Sequence, residues 1–536
     1  MANYSYPRVV LNTHALTHSV TTTATDTTVL FSVFVASKGP IGSVVHIHSL
    51  SEFKEIFGDL DITRNGETAL NIYNWLTYGG TIYGVRLTDA NDIFAKAGYT
   101  ATAVTSETFD SLKASLYSLN AETGEYSLLD SGAVFSASAV YYIYNGYVIS
   151  AKYPGAYYND ISLKITCTSA GYYSVSIRYK TTTILFEKYG LTSSEKIINF
   201  FKQYIGNDYI DIEALDTTYL ESISVGSSKT IKLANGADST TVISAAADAF
   251  WVGDQPEALL GSKLAEPVDL IIDAGYKLTT KAAMAAFVNN TLLDTNGEVI
   301  APRPDIVLIL DRFVSQDNII NKPAATVEDF AADAYKATNI AIYDQYFTIN
   351  DAIFTDNVVY TMPSYFLSKL ISYNDLNYGI QSATAGLRRG VLEDALSVNE
   401  NFKPDDKNAK FLARINYAEK TNRESSFMSQ RTHDGSTSDS YTALSFLNNE
   451  RALEKMKKDI EVLGRDYLFE FNDSTTLAQM SKVLNKYVTE WISNRTLSGG
   501  SVSVAKNVNN EEAVDITMNI QFTGTIEVIS VDITIE

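Results

Sequence analysis

The chain has 536 residues, enough for roughly three or four domains. It carries 63 Asp and Glu residues against 42 Lys and Arg, a net charge of −21 that argues against nucleic acid as its main partner, because phosphate binding calls for basic clusters. The single cysteine, Cys167, excludes disulfides within the chain. The sequence lacks both an apolar run of about eighteen residues and a signal-like N-terminus, so we predict a soluble, unexported protein without membrane insertion.

The first 26 residues are polar and rich in threonine. Their one short apolar patch comprises Arg8, Val9, Val10 and Leu11. Such a segment cannot form a core alone, and we predict an extended N-terminal arm over residues 1–26.

Residues 27–90 alternate strand-like and helix-like segments that are separated by glycine-containing turns. The predicted elements are the strands Val29–Val35, Val44–His48 and Thr81–Leu87 and the helices Glu52–Phe57 and Thr68–Leu76. Either Ser49 or Ser51 is expected to cap the first of these helices.

Residues 91–150 are treated as an insertion that becomes strand-like from residue 134. A hairpin is predicted from Ile161–Cys167 and Tyr172–Tyr179, and Cys167 is expected to be a buried strand residue. We therefore predict a β-sandwich or barrel module over residues 151–230.

From residue 231 the pattern changes to helices alternating with apolar strands, which predicts a layered α/β module over residues 231–374. The predicted strands are Val268–Asp273, Asp305–Asp311, Asn339–Tyr346 and Asn357–Met362. The predicted helices are Lys281–Asn289, Val327–Ala337 and Ser364–Ser372.

Two amphipathic helices are predicted within residues 375–510. The first covers Asn448–Leu463 and carries Arg451, Lys455 and Lys458 away from its apolar face. The second follows a cap at Asp473, ends near Arg495, and exposes Lys482 and Lys486. These basic residues form either a solvated face or a docking surface for an acidic partner.

The last segment, residues 511–536, reads as a strand-rich C-terminal arm. Val514–Phe522 alternates apolar and polar residues, Ile526 and Val528 keep that phase, and Val531, Ile533 and Ile535 fall on the opposite one. Burying roughly ten such side chains is worth about 1.5–3 kcal/mol each, so this arm needs a neighbour, for which another subunit is a candidate.

The sequence lacks the common motifs of enzyme active sites and metal sites. We find no phosphate-binding loop, nucleophile elbow, Cys-x-x-Cys pair or zinc-protease helix. His46 and His48 share a strand face but have no evident third metal ligand. Asp273 and Asp311 end parallel-type strands, where they serve either as active-site carboxylates or as turn and cap residues. We predict a protein that is not an enzyme and binds no cofactor or metal.

Several short motifs occur in a fixed order along the chain. They are Gly39-Pro40, Ser49 with Glu52-Phe53, Phe57-Gly58, Gly79-Gly80, Tyr83-Gly84-Val85-Arg86, residues 151–159, Arg303-Pro304-Asp305, Met362-Pro363-Ser364, Thr384-Ala385-Gly386, Gln430-Arg431-Thr432 and Phe469-Glu470-Phe471-Asn472-Asp473. This ordered set resembles the contractile phage tail sheath proteins over nearly the whole chain. Tyr157, Tyr158 and Phe471 depart from the family, which has Trp, Gly and Pro at those positions.

The resemblance implies a multidomain α+β and α/β protein whose inner α/β core is formed by both chain ends, residues 27–90 and 375–510. The β-sandwich or barrel module and the layered α/β module are then insertions between them. Extended N- and C-terminal arms, residues 1–26 and 511–536, would add strands to neighbouring subunits.

The resemblance also implies a function, that of the tail sheath subunit of a contractile phage. Such a subunit polymerises into a helical sheath around the tail tube and contracts to drive the tube through the host envelope. The implied partners are further copies of the chain, the tail tube protein, and the baseplate and tail terminator proteins, in a virion tail assembled in the host cytoplasm. Arg451, Lys455, Lys458, Lys482 and Lys486 are then candidate tube contacts. The alternatives are the sheath of a phage-like injection system or bacteriocin, and a tyrosine-rich glycan-binding surface protein.

Overall fold

The computed structural model describes residues 28–89, 91–103, 116–119, 126–128, 140–185, 188–315, 319–324, 335–421, 424–435 and 442–525. The predicted arm residues Arg8, Val9, Val10, Leu11, Ile526, Val528, Val531, Ile533 and Ile535 lie outside these ranges, as does most of the helix predicted at Val327–Ala337. Among the described helices, none combines the length and apolar character of a membrane span.

The first described segment forms the elements predicted for residues 27–90. They are β1 (Val29–Val35), β2 (Val44–Ile47), α1 (Leu50–Phe57), α2 (Ile62–Asn65), α3 (Glu67–Thr77) and β3 (Thr81–Leu87). Ser49 is the cap of α1, since its hydroxyl accepts a hydrogen bond from the Glu52 amide at 3.1 Å. Gly58 ends the helix at φ 90°, a conformation that favours glycine.

The next segment is β-rich. Its elements are β4 (Lys96–Ala103), β5 (Leu116–Leu119), β6 (Tyr126–Leu128), β7 (Val140–Ala151), β8 (Ile161–Ser169), β9 (Tyr172–Tyr179), β10 (Thr182–Thr183), β11 (Lys188–Leu191), α4 (Ser194–Gln203), β12 (Ile210–Leu215), α5 (Thr217–Glu221) and β13 (Ser228–Lys232). The described strands form two sheets, one built on the predicted β8–β9 hairpin and the other on the long strand β7. Both sheets contribute to one apolar core that includes Cys167, which is buried as predicted.

The remaining elements alternate helices and strands before the chain closes with two long helices and a pair of strands. They are α6 (Ile243–Val252), α7 (Gln255–Leu260), β14 (Leu270–Ile272), α8 (Leu278–Val288), β15 (Val307–Asp311), β16 (Ile340–Tyr343), β17 (Phe347–Asp351), β18 (Asn357–Thr361), α9 (Pro363–Tyr378), α10 (Gly386–Arg389), β19 (Ala395–Val398), α11 (Pro404–Leu412), β20 (Ile415–Asn416), β21 (Ala418–Lys420), β22 (Ser425–Phe427), α12 (Leu447–Arg465), α13 (Ser474–Ser493), β23 (Leu497–Lys506) and β24 (Val514–Phe522).

A seven-stranded sheet, in the order β2-β3-β1-β14-β15-β16-β20, forms the centre of the molecule. Only the edge strand β2 is antiparallel to its neighbour. One face packs against α3 and α9, and the other against α6 and α8. Strands buried on both faces are near-continuously apolar, as β15 is, because helices cover a parallel sheet on both sides.

This sheet corrects one boundary of the predicted architecture. We assigned residues 27–90 to the inner core and residues 231–374 to a separate module, but β1 pairs directly with β14, with Leu30 opposite Leu270. The reason is physical: β1 is buried on both faces, so the amide and carbonyl groups along its two edges are shielded from water and need a partner strand on each side. The two segments form one layered α/β unit.

Motif residues from distant parts of the chain meet where this unit joins the β-rich segment. The buried guanidinium of Arg86 donates to the carbonyl oxygens of Gly39 at 2.8 Å and Pro154 at 2.7 Å. The Tyr158 hydroxyl accepts from the Gly39 amide at 3.2 Å. Three of the motifs that carry the family resemblance therefore hold one junction.

A buried polar cluster lies at the carboxyl ends of β14 and β15. Lys281 pairs with Asp273, and its Nζ atom also donates to the Asp311 carbonyl at 2.8 Å. Asp273 accepts from the Ala274 and Tyr276 amides, and Asp311 accepts from the Ser364 amide in the first turn of α9. Both carboxylates are 0% exposed. These bonds match the turn and cap roles considered for the two aspartates.

The pKa values of this cluster follow from its burial. Burial, with the neighbouring charge of Asp273, raises the pKa of Asp311 to about 7. Burial also raises the pKa of Glu67 well above its usual value. Among the described residues, which include His46 and His48, no group of three or more His, Cys, Asp or Glu residues is arranged to hold a metal ion.

Replacing Lys281 with methionine removes the cation that pairs with Asp273. A buried carboxylate left unpaired costs about 3–5 kcal/mol, so Lys281→Met is expected to lower the free energy of unfolding by that amount. The matched control is Lys277→Met, because Lys277 is exposed beside the first turn of the same helix, and about 0.5 kcal/mol or less is expected there. Urea denaturation of both variants measures the difference, and equal losses would contradict this account.

The pH dependence of stability is expected to change in Asp311→Asn. Because the folded protein holds the Asp311 proton up to about pH 7, the contribution of that group to stability is complete below about pH 4 and is lost as the pH rises through 7. Asparagine cannot ionise. The stability of the wild type relative to Asp311→Asn should therefore fall between about pH 4 and pH 7 in urea denaturation and level off above that range. A pH-independent difference would show that Asp311 is ionised throughout.

Candidate assembly interface

The last 80 described residues form a C-terminal unit of α12, α13, β23 and β24. Asp473 caps α13 as predicted, accepting hydrogen bonds from the Thr475 and Thr476 amides at 2.9 Å. The two helices share an apolar interface, whose buried members are Ala452, Leu453, Met456, Ile460, Met480, Leu484, Val488 and Trp491. This interface gives the chain end a core of its own.

The two strands of this unit form an antiparallel ribbon on α13. Gly500 lies opposite Ile520, and a Cβ atom at Gly500 would stand 2.7 Å from a Val488 methyl group, so glycine allows the ribbon to approach the helix. One face of β24 packs against the core that contains this helix, and Phe522 at the end of the strand is buried. The residues of that face are Val514, Ile516, Met518 and Ile520.

Residues 511–536 were predicted to need a neighbour, with another subunit as a candidate, and for residues 514–522 a neighbour lies in the same chain. The neighbours of β24 are α13 and β23 of the same chain. β23 was not predicted, because Gly499 and Gly500 interrupt the apolar pattern near its start. The alternation of Val502 and Val504 with serine was the signal that indicated a strand.

The ribbon leaves both of its long edges open. β23 and β24 pair with each other over ten and nine residues, and no other described strand pairs with either. Unpaired edges present rows of amide and carbonyl groups that accept a further strand. The chain continues beyond β24 into residues 526–536, which contain the predicted C-terminal arm residues.

Thr28, the first described residue after the predicted N-terminal arm, belongs to a buried polar network. The Thr28 hydroxyl donates to Asp375 and accepts from the Arg451 guanidinium at 2.8 Å, and Arg451 pairs with Asp375. Arg451 also donates to the Ile380 carbonyl at 3.2 Å. Burial raises the pKa of Asp375, and the positive charge of Arg451 opposes that rise. One arginine of α12 thus fixes Thr28, the residue that follows the predicted N-terminal arm in the described chain.

A second contact, about two turns further along α12, lies next to the first strand of the body. Lys458 lies 3.0 Å from Asp269 and donates to the Val268 carbonyl at 2.6 Å. The other carboxylate oxygen of Asp269 accepts from the Val29 amide at 2.9 Å. Lys455 pairs with Asp459 at 2.8 Å.

The basic side of α12 is therefore engaged inside the chain. Arg451 is only 4% exposed, so its guanidinium has no surface to offer a partner, and the tube contact predicted for it does not fit this placement. Lys455 and Lys458 are mostly covered and paired. Lys482 and Lys486 remain exposed on α13, Lys486 at 3.4 Å from Glu490. Tube contact stays a prediction, and Lys482 and Lys486 are its best-placed candidates.

The sequence matches no family model and no curated protein. Solved structures do match it. The sheath tail protein Lin1278 from Listeria innocua has 14% sequence identity and a TM-score of 0.60, with 94% of each chain covered. The chain has the fold of a contractile tail sheath protein.

A second solved structure shows the same fold. It is a chain from the six-fold symmetrised baseplate of the anti-feeding prophage, with 11% identity, a TM-score of 0.50 and 100% of both chains covered. The sheath fold therefore includes the layered α/β unit, the β-rich segment and the C-terminal unit. The resemblance stated from the sequence motifs is confirmed at the level of fold.

Arg451→Met is expected to loosen the base of the N-terminal arm. The substitution leaves Asp375 buried without its cation, and we expect a loss of about 3–5 kcal/mol in the free energy of unfolding. Lys486→Met is the matched control, because Lys486 is 80% exposed and its loss should cost about 0.5 kcal/mol or less. Urea denaturation compares the two. Equal stability of the two variants would show that the network does not hold the arm.

Proposed function

We propose that the chain is a contractile sheath subunit that polymerises head to tail into a helical tube around a tail tube. The observation that carries the proposal is the open two-stranded ribbon of the C-terminal unit on a sheath fold. A ribbon with two long unpaired edges is an aggregation hazard in a monomer, and proteins normally cover such edges. In a polymer, strands from neighbouring subunits cover them.

The arms are the segments proposed to supply those strands. About 22 residues of the N-terminal arm span on the order of 70 Å when fully extended, which is enough to reach a neighbouring subunit. The contacts of Thr28, which follows the N-terminal arm, support the proposal that this arm links neighbouring subunits. Tension on the arm acts on Thr28, and the Thr28–Asp375–Arg451 network passes it to α12, which packs against the ribbon helix α13. A neighbour that pulls on the arm thus pulls on the C-terminal unit.

Contraction is proposed to use free energy stored during assembly. Head-to-tail contacts that do not close give a helical tube, and the extended tube is a kinetically trapped state. Subunits then swing as near-rigid bodies into more extensive contacts while exchanged strands act as hinges. No nucleotide or other cofactor is needed, and the chain is not an enzyme. The partners are the tail tube, baseplate and tail terminator proteins, with Lys482 and Lys486 toward the tube.

Two kinds of particle are candidates for carrying this sheath. A phage virion tail, assembled in the host cytoplasm, is the first candidate. The likeness to an anti-feeding prophage chain favours the sheath of a phage-like injection system as the second candidate. The open ribbon is equally compatible with a phage tail sheath and with the sheath of an injection system. It has no role in a monomeric glycan-binding protein.

Deleting residues 526–536 is expected to abolish polymerisation while leaving the subunit folded. The deletion keeps β24 and the buried Phe522, so the melting temperature should change little. Negative-stain electron microscopy should then show tubes for the wild type and dispersed particles for the truncated chain. A variant with a Gly/Ser segment of equal length in place of residues 526–536 is the control for chain length and should also fail. Ordered tubes from either variant would contradict strand exchange through this arm.

A further inference from the structure

The loop between α12 and α13 displays two phenylalanines. Phe469 and Phe471 are 90% and 83% exposed, on either side of Glu470. We call these three residues the aromatic knob. Large aromatic side chains that stand fully in water on a folded surface are typical of interaction sites, where they supply the anchors that fill a partner's pocket.

Hydrogen bonds hold the backbone of the knob in a defined conformation. The Glu470 amide donates to the Tyr467 carbonyl at 3.2 Å, and the Asp473 amide donates to the Phe471 carbonyl at 2.9 Å. Asn472 donates to the Glu511 carbonyl at 2.7 Å, which ties the loop to the β23–β24 turn. Phe469 has φ 69°, a conformation that costs energy for a bulky residue. A preformed aromatic loop loses little conformational freedom on binding.

A second exposed apolar surface lies at the carboxyl end of α9. Its exposed members are Tyr373, Leu376, Tyr378 and Leu387, with the half-buried Tyr78 beside Tyr373, and we call these five residues the tyrosine patch. The Tyr373 ring is 6.3 Å from that of Tyr78 and 6.5 Å from that of Tyr378. Leu376 is 59% exposed beside them. Leu387 belongs to α10, whose Arg389 carbonyl accepts a hydrogen bond from Asn374 of α9.

The two surfaces are complementary in charge. Glu470 lies within the knob, and the exposed carboxylates of Asp466, Glu511 and Glu512 are close to it in the chain or through the bond to Asn472. The tyrosine patch carries exposed Arg388 and also Arg389, whose guanidinium lies 5.9 Å from the centre of the Tyr378 ring. An acidic, aromatic knob and a basic, aromatic patch attract each other and disfavour contacts of like with like.

The spacing of the two surfaces prevents one chain from joining its own knob to its own patch. Arg451 in α12 contacts Asp375, which lies in α9 next to Leu376 of the patch. The knob follows Arg465 at the other end of the same helix. Fourteen helical residues separate Arg451 from Arg465, a distance of about 21 Å along a rigid element.

We infer that the aromatic knob of one subunit binds the tyrosine patch of a second copy of this chain. This inference rests on the proposed function and adds to it the surfaces that meet. Because knob and patch are different surfaces on the same chain, the contact is heterologous, and a pair of subunits joined by it still has one free knob at one end and one free patch at the other. Such a contact propagates into an open helical polymer.

Cysteine cross-linking of the full-length chain tests the contact directly. Cys167 is buried, so wild type gives the background. A Glu470→Cys chain is mixed with a Leu387→Cys chain and treated with a short bismaleimide. The expected product is a covalent dimer in the mixture and none in either variant alone. No dimer in the mixture, or equal dimer in the separate variants, would overturn the inference.

A second measurement tests what the knob contributes. Phe469→Ser with Phe471→Ser is expected to raise the protein concentration at which tubes first appear by about tenfold or more, as loss of anchor residues does. The matched control is Ile205→Ser, because Ile205 is 97% exposed in the β-rich segment, and no change is expected there. Unchanged tube formation in the double variant would overturn the inference.

The outcomes separate this inference from the proposed function. Wild-type tubes without the cross-link leave the sheath function standing and remove the knob–patch contact. Failure of the wild type to polymerise counts against the sheath function, and the cross-linked dimer still reports whether knob and patch meet. Cysteine labelling at Leu387→Cys that rises when residues 1–27 are deleted would assign the patch to the chain's own N-terminal segment, which also overturns the inference.

Discussion

The buried ion pair between Arg451 and Asp375 is the interaction on which the rest of the arrangement depends. It joins α12 to α9, and through Thr28 it also holds the first residue of the body behind the N-terminal arm. Removing two charges from water is costly, and the pair is tolerated because each partner has further hydrogen bonds. The arrangement places the N-terminal attachment and the C-terminal unit on the same helix, so a force on one end of the chain reaches the other.

The net charge of −21 sets a second constraint on assembly. Identical acidic subunits repel one another, so a lattice of them needs contacts that outweigh the repulsion locally. Main-chain hydrogen bonds across an added strand do not depend on side-chain charge. The knob and the patch differ in charge, which places attraction at one defined point of the surface. The basic residues of α12 are not available for this purpose, because Arg451 and Lys458 are engaged with Asp375 and Asp269.

Features set by local sequence were predictable. Ser49 and Asp473 cap their helices because the bonds reach only two or three residues along the chain, and β24 follows from simple alternation. Contacts between distant residues were not predictable from local sequence. Arg451 meets Asp375 at a separation of 76 residues and Thr28 at 423, and no periodicity in the sequence encodes those pairings. The pairing of β1 with β14 was not predicted either, because it also joins distant parts of the chain. β23 was not predicted because two glycines interrupt its apolar pattern. The motif resemblance supplied what local pattern could not, the sheath fold.

The fold and the open ribbon lead to one claim above all, that copies of this chain polymerise into a tube. Negative-stain electron microscopy of the purified full-length wild type, at rising protein concentration and without other proteins, tests this most directly. The account predicts hollow striated tubes of regular diameter above a threshold concentration. Dispersed single particles at every concentration, and again after co-expression with a tail tube protein, would contradict it.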